Sequence, residues 1–309
     1  MTTSLRVIVF PGGTNLPIWV AQSQGFFERH GVSVDLTYTT SSKEQLAGLI
    51  RGDWDLGGTA FDNVVAYQEG QGEAAIDREP DLFVFQGGDN AFLRLVVQGG
   101  IRSYDDLRGK TLSVDALTTG FAFVLRKMLA NAGLGDGDVT YDSVGGLHER
   151  WNAMKAGAHA GTLLLTPFEL IAGHVGLNLL QSATDVVPDY QGVIGTTRRS
   201  WAAKNGDALT GYIRGYLDAL DWVFDPANRA AAEAILAEKV PQMTPAMATE
   251  TCAVYLAPDG GFERRARLSR SGMDTVLALR SEYGRPQKTL TDPDRYVDLT
   301  WYDRAVETR

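Results

Sequence analysis

The feature that most limits what this chain can become is the regular alternation of short apolar runs with helical patterns over its first two thirds. "LRVIVF" (Leu5 to Phe10) reads as a buried strand; the turn "PGGTN" follows, then a helix with Pro17 in its first turn, ending near Gly25. "VSVDLTY" (Val32 to Tyr38) predicts a second strand. "TTSSKEQLAGLIRG" predicts a helix opened by a capping box of Ser42 with Gln45 and stopped near Gly52. "WDLGGT" and "AFDNVVAYQEG" repeat the order of strand then helix. Strands alternating with helices at this spacing build βαβ units around a mainly parallel sheet.

After the polar stretch "EAAIDREPD", two apolar runs, "LFVFQ" and "FLRLVVQ", are separated by "GGDNA". "SYDDLRGKTLSVD" then leads into "VDALTTGFAFVLRKMLANAGL": the end of a strand, a loop of hydroxyls and glycine, and an amphipathic helix. "DVTYDSV" is a further strand, "GGLHERWNAMKAG" a turn and helix, and "GTLLLTP" another strand. Beyond about Ser200 the pattern is largely helical. One loose internal echo links "LIRGDWDLGGTAFDN" to "MKAGAHAGTLLLTPFE", each running helix, Gly, short strand, loop, helix.

A length of 309 residues favours two domains, and 44% hydrophobic with 22% charged residues fits a globular chain. No apolar run approaches the roughly 20 residues of a membrane-spanning helix. A net charge of −9 with no basic block argues against a nucleic acid or an anionic membrane as partner. The lone cysteine, Cys252, rules out an intrachain disulfide and any multi-cysteine metal site. The strand-like run begins almost at Met1 without a signal-peptide pattern. The expectation is a cytoplasmic protein if Met1 is the native start, or a periplasmic one if an export signal has been trimmed.

Several strand-to-helix junctions carry small hydroxyl, amide or glycine residues: Thr14-Asn15, Ser41-Ser42, Thr59-Ala60-Phe61 and Thr118-Thr119-Gly120. In an open parallel sheet, ligands sit beyond the carboxyl ends of the strands, where helix starts converge. The first turn of a helix leaves about four N–H groups without intrahelical partners, and its dipole favours negative charge. Such junctions together predict a pocket for a small polar or anionic group, although each alone is equally a helix cap. Asp62, Asp89 and Asp115 lie near the same region and favour a cationic or hydrogen-bonding heterocycle instead.

In "VGGLHERW", His148 and Arg150 follow a strand, and Arg150 suits a bidentate clamp on a carboxylate or sulfonate. Arg198 and Arg199 in "GTTRRSW" are similar candidates. Trp19, Phe61, Phe121 and Trp151 are placed either to stack on a ring or to fill the core. No dinucleotide or Walker loop, metal-spaced histidine set or G-x-S-x-G elbow is present, and Cys252 reads as a buried thiol.

The stretches "WVAQSQGFFERHGVSVDL", "LAGLIRGDWDLGGTAFDN", "SYDDLRGKTLSVDALTTGFAFVLRKML" and "YQGVIGTTRRSWAAKNGDAL" resemble the solute-binding proteins of ABC importers, in the branch for nitrate, alkanesulfonates, taurine and thiamine pyrimidine precursors. The resemblance covers most of the first 225 residues. It implies the α/β, two-lobed type II periplasmic-binding-protein fold, with mainly parallel sheets flanked by helices and a ligand cleft between the lobes. Lobe one would span residues 1–88 and 195–309, and lobe two 89–194, with "QGGDN" and "YQGVIG" as hinges.

The implied role is the solute-binding component of an ABC importer, a monomer partnered by a small molecule and a permease. The ligand would be a sulfonate, carboxylate or pyrimidine-like compound. The expected ligand-binding set is Thr14, Asn15, Trp19, Ser41, Ser42, Thr59, Ala60, Phe61, Asp89, Asn90, Asp115, Thr118, Thr119, Gly120, Phe121, His148, Arg150 and Pro167, with no catalytic residue, metal or cofactor. The rival is an enzyme on the same lobes, of decarboxylase, desulfinase or pyrimidine-precursor type, with His148 as acid–base group assisted by Asp115 or Arg150. A desulfinase would need a cysteine near the first junction, and none is there. The chain departs from the family pattern at Ala160, where G-x-x-D-A would place Asp; the first half keeps Gly52 and Asp55.

Overall fold

The computed structural model describes every residue except 1, 91, 242, 258–260 and 308. The described strands make two five-stranded sheets of one design. The first holds β1 (Thr3–Val9), β2 (Val32–Tyr38), β3 (Leu56–Ala60), β4 (Leu82–Gly87) and, much later in the chain, β10 (Val193–Arg198), ordered β2-β1-β3-β10-β4. The second holds β5 (Arg94–Val97), β6 (Thr111–Val114), β7 (Thr140–Ser143), β8 (Gly161–Leu164) and β9 (Asn178–Ser182), ordered β7-β6-β8-β5-β9.

Within each sheet one strand is reversed: β10 runs antiparallel to β3 and β4, and β5 runs antiparallel to β8 and β9. Each reversed strand is the first that the chain makes on arriving from the other sheet. A chain leaving the carboxyl ends of one sheet enters the next at that sheet's carboxyl ends, so its first strand must run backwards. The two crossings lie side by side. Asp89 ties them, its Oδ1 accepting from the Val193 N–H at 3.0 Å and its carbonyl from the Gly192 N–H at 3.1 Å.

The helices of the first lobe's sheet are α1 (Leu16–Ser23), α2 (Phe26–Arg29), α3 (Ser42–Arg51) and α4 (Phe61–Gln68); those of the second are α5 (Gly120–Asn131), α6 (Leu147–Lys155) and α7 (Phe168–His174). The C-terminal third adds α8 (Arg199–Phe224), α9 (Arg229–Lys239), α10 (Pro245–Tyr255), α11 (Arg270–Tyr283) and α12 (Thr300–Glu307). α8 packs on α1, α2 and α12, where Phe27 and Tyr212 stack with ring centroids 5.2 Å apart. α11 packs on α4 and also on α5, so it bridges the two sheets.

The α3 cap sits one residue earlier than the sequence suggested. Ser41 is the N-cap, its Oγ accepting from the Glu44 N–H at 3.3 Å. Gln45 does not turn back to the cap; its Nε2 donates to the Ile8 and Gly58 carbonyls at 3.3 and 2.9 Å, and the side chain is buried between strands. β9 was not foreseen, because it is an edge strand whose Leu179 is 51% exposed, so no clean alternation marks it.

The internal echo is a real equivalence. β3 and β8 hold the same place in their sheets, and the Asp55 N–H donates to the Arg6 carbonyl as the Ala160 N–H does to that of Thr111, at 2.9 and 2.8 Å. Asp55 pairs with Arg6 at 2.7 Å. In the second lobe, which has Ala160 there, the neighbouring His159 pairs with Asp142 at 2.9 Å instead.

Candidate functional site

The carboxyl ends of the two sheets face each other across a cleft. The first lobe contributes the turn after β1 (Phe10 to Asn15), the end of β3 (Gly57 to Ala60), Asn63 on α4, Gln86 at the end of β4, and Tyr212 and Tyr216 on α8. The second contributes Asp115, Thr119 to Phe121, Gly146, Leu147, Arg150, Leu165 and Thr166. The enclosed volume is about 120 Å³, near the ~150 Å³ that takes benzene in an engineered cavity.

Each wall has a local cause. Asn15 holds the first turn, its Nδ2 donating to the Phe10 and Gly12 carbonyls at 2.7 and 2.9 Å. Asn63 lies one turn into α4 and donates to Thr59 Oγ1 at 2.9 Å. Tyr212 and Tyr216, four residues apart, share one face of α8. Burial pushes both phenol pKa values far up, so they remain neutral hydrogen-bonding groups. Gln86 is only 3% exposed, and its Oε1 has no hydrogen-bond partner among the described residues.

Arg150 and Asp115 are the charged residues of the lining. Arg150 is 4% exposed; its Nη1 donates to the Leu163 carbonyl at 2.5 Å and its Nε to the Gly145 carbonyl at 3.2 Å. Burial lowers its pKa, opposed by the charge of Asp115. Burial likewise pushes the Asp115 pKa up, opposed by Arg150 and by a 2.5 Å hydrogen bond from Thr119 Oγ1.

The start of α5 is not empty. The Gly120 N–H donates to Asp62 Oδ2 at 2.6 Å, and the Thr118 N–H and Oγ1 donate to Glu73 Oε1 at 2.8 and 3.1 Å. Both carboxylates come from the first lobe. Asp62 is held in turn by Arg280 of α11, whose Nε and Nη2 reach its two oxygens at 2.5 and 3.0 Å and which also donates to the Thr118 carbonyl. Glu73 is paired with Lys43 at 2.7 Å. Elsewhere around the cleft, the Gly146 N–H donates to the Thr40 carbonyl at 3.0 Å and Tyr255 Oη donates to the Thr166 carbonyl at 2.8 Å.

Gly120 is required by that approach. A Cβ there would lie 2.2 Å from Tyr190 Oη and 2.5 Å from Asp62 Cγ. Gly120→Ala is therefore expected to part the lobes at this edge, measured as a larger radius of gyration in X-ray scattering. An unchanged radius would show that the contact yields without opening.

Acid should loosen the same edge. Burial works to raise the Glu73 pKa, but its bonds to Lys43 and Thr118 outweigh this and hold it below the ordinary value. A carboxylate depressed in the folded state contributes stability that is complete above its unfolded pKa of about 4.3 and is lost as pH falls through the lower folded value. Scattering profiles should thus stay constant from pH 7 to about 5 and expand below about pH 4. The Glu73→Gln variant should lose that step.

Of the expected ligand set, Thr14, Asn15, Thr59, Ala60, Asp115, Thr119, Gly120, Phe121 and Arg150 line the cleft. The others lie elsewhere. Trp19 is in the core, its Nε1 donating to Tyr38 Oη at 2.8 Å, and Phe61 is fully buried edge-on to Tyr296. Ser41 and Ser42 open α3, Thr118 is taken by Glu73, and Asp89 ties the crossings. Asn90 Oδ1 accepts from the Gly261 N–H at 3.3 Å, and Pro167 precedes α7. His148 is exposed, its ring 6.0 Å from that of Phe168, and is not brought to Asp115 in the lining.

Trp151 belongs to a small second-lobe core; Arg198 donates to the Leu49 carbonyl at 2.8 Å, and Arg199 lies over the Phe83 ring. Burial pushes the Cys252 thiol up to about 11. Among the described residues, no group of three or more His, Cys, Asp or Glu is placed to hold a metal ion. Sequence reasoning missed Gln86, Asn63, Tyr212 and Tyr216. The i, i+4 tyrosines and the lone polar residue closing an apolar strand were the available signals.

Two sheets of one strand order, joined by paired crossings and facing each other across a cleft, define the type II periplasmic-binding-protein fold. The chain belongs to the NMT1-like family, whose family model matches residues 1–237. No curated protein sequence matches it. Among solved structures it is similar to the periplasmic nitrate-binding protein NrtA from Synechocystis PCC 6803, at 13% identity over 99% of this chain and 89% of that one, with a TM-score of 0.81. It is similar to the alkanesulfonate-binding protein SsuA from Xanthomonas axonopodis pv. citri bound to MOPS, at 18% identity over 91% and 92%, TM-score 0.73. A DSZB variant in complex with biphenyl-2-sulfinic acid also shares the fold, at 11% identity over 100% of both chains, TM-score 0.65.

Proposed function

We propose that the protein is the extracytoplasmic solute-binding component of an ABC importer, holding one small sulfonate, carboxylate or pyrimidine-like molecule between its lobes for a membrane permease. The observation that carries this reading is the cleft itself: it is built from both lobes, sized for a single ring, and lined by neutral hydrogen-bonding groups together with the charged residues Arg150 and Asp115. Phe10, Phe121, Tyr212 and Tyr216 offer apolar faces to a planar ligand, and Arg150 offers a charge-assisted donor. Closure of the lobes excludes water and strengthens each polar contact. The fold and the ligands named for its structural neighbours agree with this role.

The test is a melting-temperature screen over sulfonates, carboxylates and pyrimidines, followed by scattering with each hit. A true ligand at about 100 times its dissociation constant should stabilise the protein by ~2.7 kcal/mol and sharpen its compact form. A panel that yields neither stabilisation nor compaction sinks the reading.

A further inference from the structure

We infer that the cleft selects ligands without net charge, and that Asp62 sets this selectivity by occupying, with the protein's own carboxylate, the helix start at which a ligand anion would otherwise be held. The inference rests on the solute-binding reading above and narrows its ligand class.

Three observations meet here. A helix start attracts anions because its N–H groups lack partners and its dipole is positive there. At α5 (N-cap Thr119) the first helical N–H, that of Gly120, is already taken by Asp62 at 2.6 Å, and Glu73 takes the Thr118 N–H just before the cap at 2.8 Å.

Second, the cations at that helix start are paired, and the two charged residues of the lining sum to no net charge. Arg280 is paired with Asp62 at 2.5 Å and Lys43 with Glu73 at 2.7 Å, while Arg150 shares the lining with Asp115. A nitrate or sulfonate brought into this cleft would lose its water and meet Asp115 as well as Arg150, a lining with no net positive charge, which is a costly transfer for an ion. A neutral polar ring avoids that cost.

Third, the cleft has a neutral recognition group awaiting a partner. The carboxamide of Gln86, buried in the lining, has Oε1 unpartnered among the described residues. A carboxamide presents one acceptor and two donors. It therefore matches a ligand edge that carries an N–H beside an acceptor, as an amide or amino-heterocycle does, and a bare oxyanion cannot satisfy its oxygen.

Matched probes of one ring size separate charge from shape. Isothermal titration of the full chain with nicotinamide and nicotinate, and with benzamide and benzoate, should show each amide binding at least tenfold more tightly than its carboxylate, with ethanesulfonate weaker than either amide. Gln86→Leu should weaken the amides by tenfold or more and the carboxylates by clearly less, so that the preference shrinks. Asp62→Asn, which leaves Arg280 without its counter-charge, should narrow the preference by tightening the carboxylates. Nicotinate, benzoate or ethanesulfonate binding the unaltered protein as tightly as the amides would overturn the inference while leaving the solute-binding reading intact. An equal preference in Gln86→Leu and the unaltered protein would also overturn it. If no probe binds and no solute compacts the protein, both fall together.

Discussion

Arg280→Met is expected to lower folding stability by about 3–5 kcal/mol, the usual consequence of removing one partner of a buried ion pair. The side chain is 0% exposed and bonds to Asp62, to Gln71 Oε1 at 3.1 Å and to the Thr118 carbonyl. Methionine fills a similar volume but leaves the Asp62 carboxylate buried beside an apolar group. Urea unfolding should show a lower midpoint with an unchanged slope if the folded state keeps its compactness. Removing both charges, in Asp62→Leu with Arg280→Met, should recover much of the loss, because no unpaired charge is then left inside. A single-variant loss below about 1 kcal/mol, the range of exposed pairs, would mean that water reaches the pair.

Phe61→Ala is expected to be about as damaging, at roughly 3–5 kcal/mol for a large-to-small change in a packed core. The ring is fully buried, 6.2 Å from Tyr296 at an interplanar angle of 84°. It stands at a junction that the sequence marked as ligand-facing, so the experiment separates two roles. A core residue reduces stability and leaves the affinity of the molecules that remain folded unchanged. A stacking residue would lose affinity out of proportion to stability. Denaturant unfolding paired with titration of any ligand from the screen distinguishes them.

These two residues show where a sequence speaks and where it falls silent. The alternation of strand and helix was legible because a period of two and a period of 3.6 leave different apolar patterns, and β2 (Val32–Tyr38) follows its apolar run residue for residue. The walls at Thr14, Thr59 and Thr119 were legible because open sheets place ligands at strand ends. What was hidden depends on partners far along the chain. Asp62 and Arg280 are 218 positions apart, and no local pattern tells an aspartate aimed at a ligand from one answering an arginine. Trp19 and Phe61 were ambiguous because a ring beside a junction looks the same in one dimension whether it turns inward or toward the cleft. Gln86 was overlooked because a single amide at a strand end acquires meaning only when its neighbours fail to bond it.

The solitary thiol has a practical consequence. Cys252 is buried, and with its pKa pushed to about 11 it is almost wholly protonated at neutral pH. For maleimide chemistry the protein is thus nearly a blank sheet. Cysteines introduced as Ala231→Cys on α9 and Val175→Cys after α7 would occupy exposed positions on opposite lobes. They can carry a donor and acceptor fluorophore without removing the native residue. The distance between the dyes would then report, in single molecules and one trajectory at a time, whether the lobes open and close, with ligand, acid or the Gly120→Ala variant as the only thing changed.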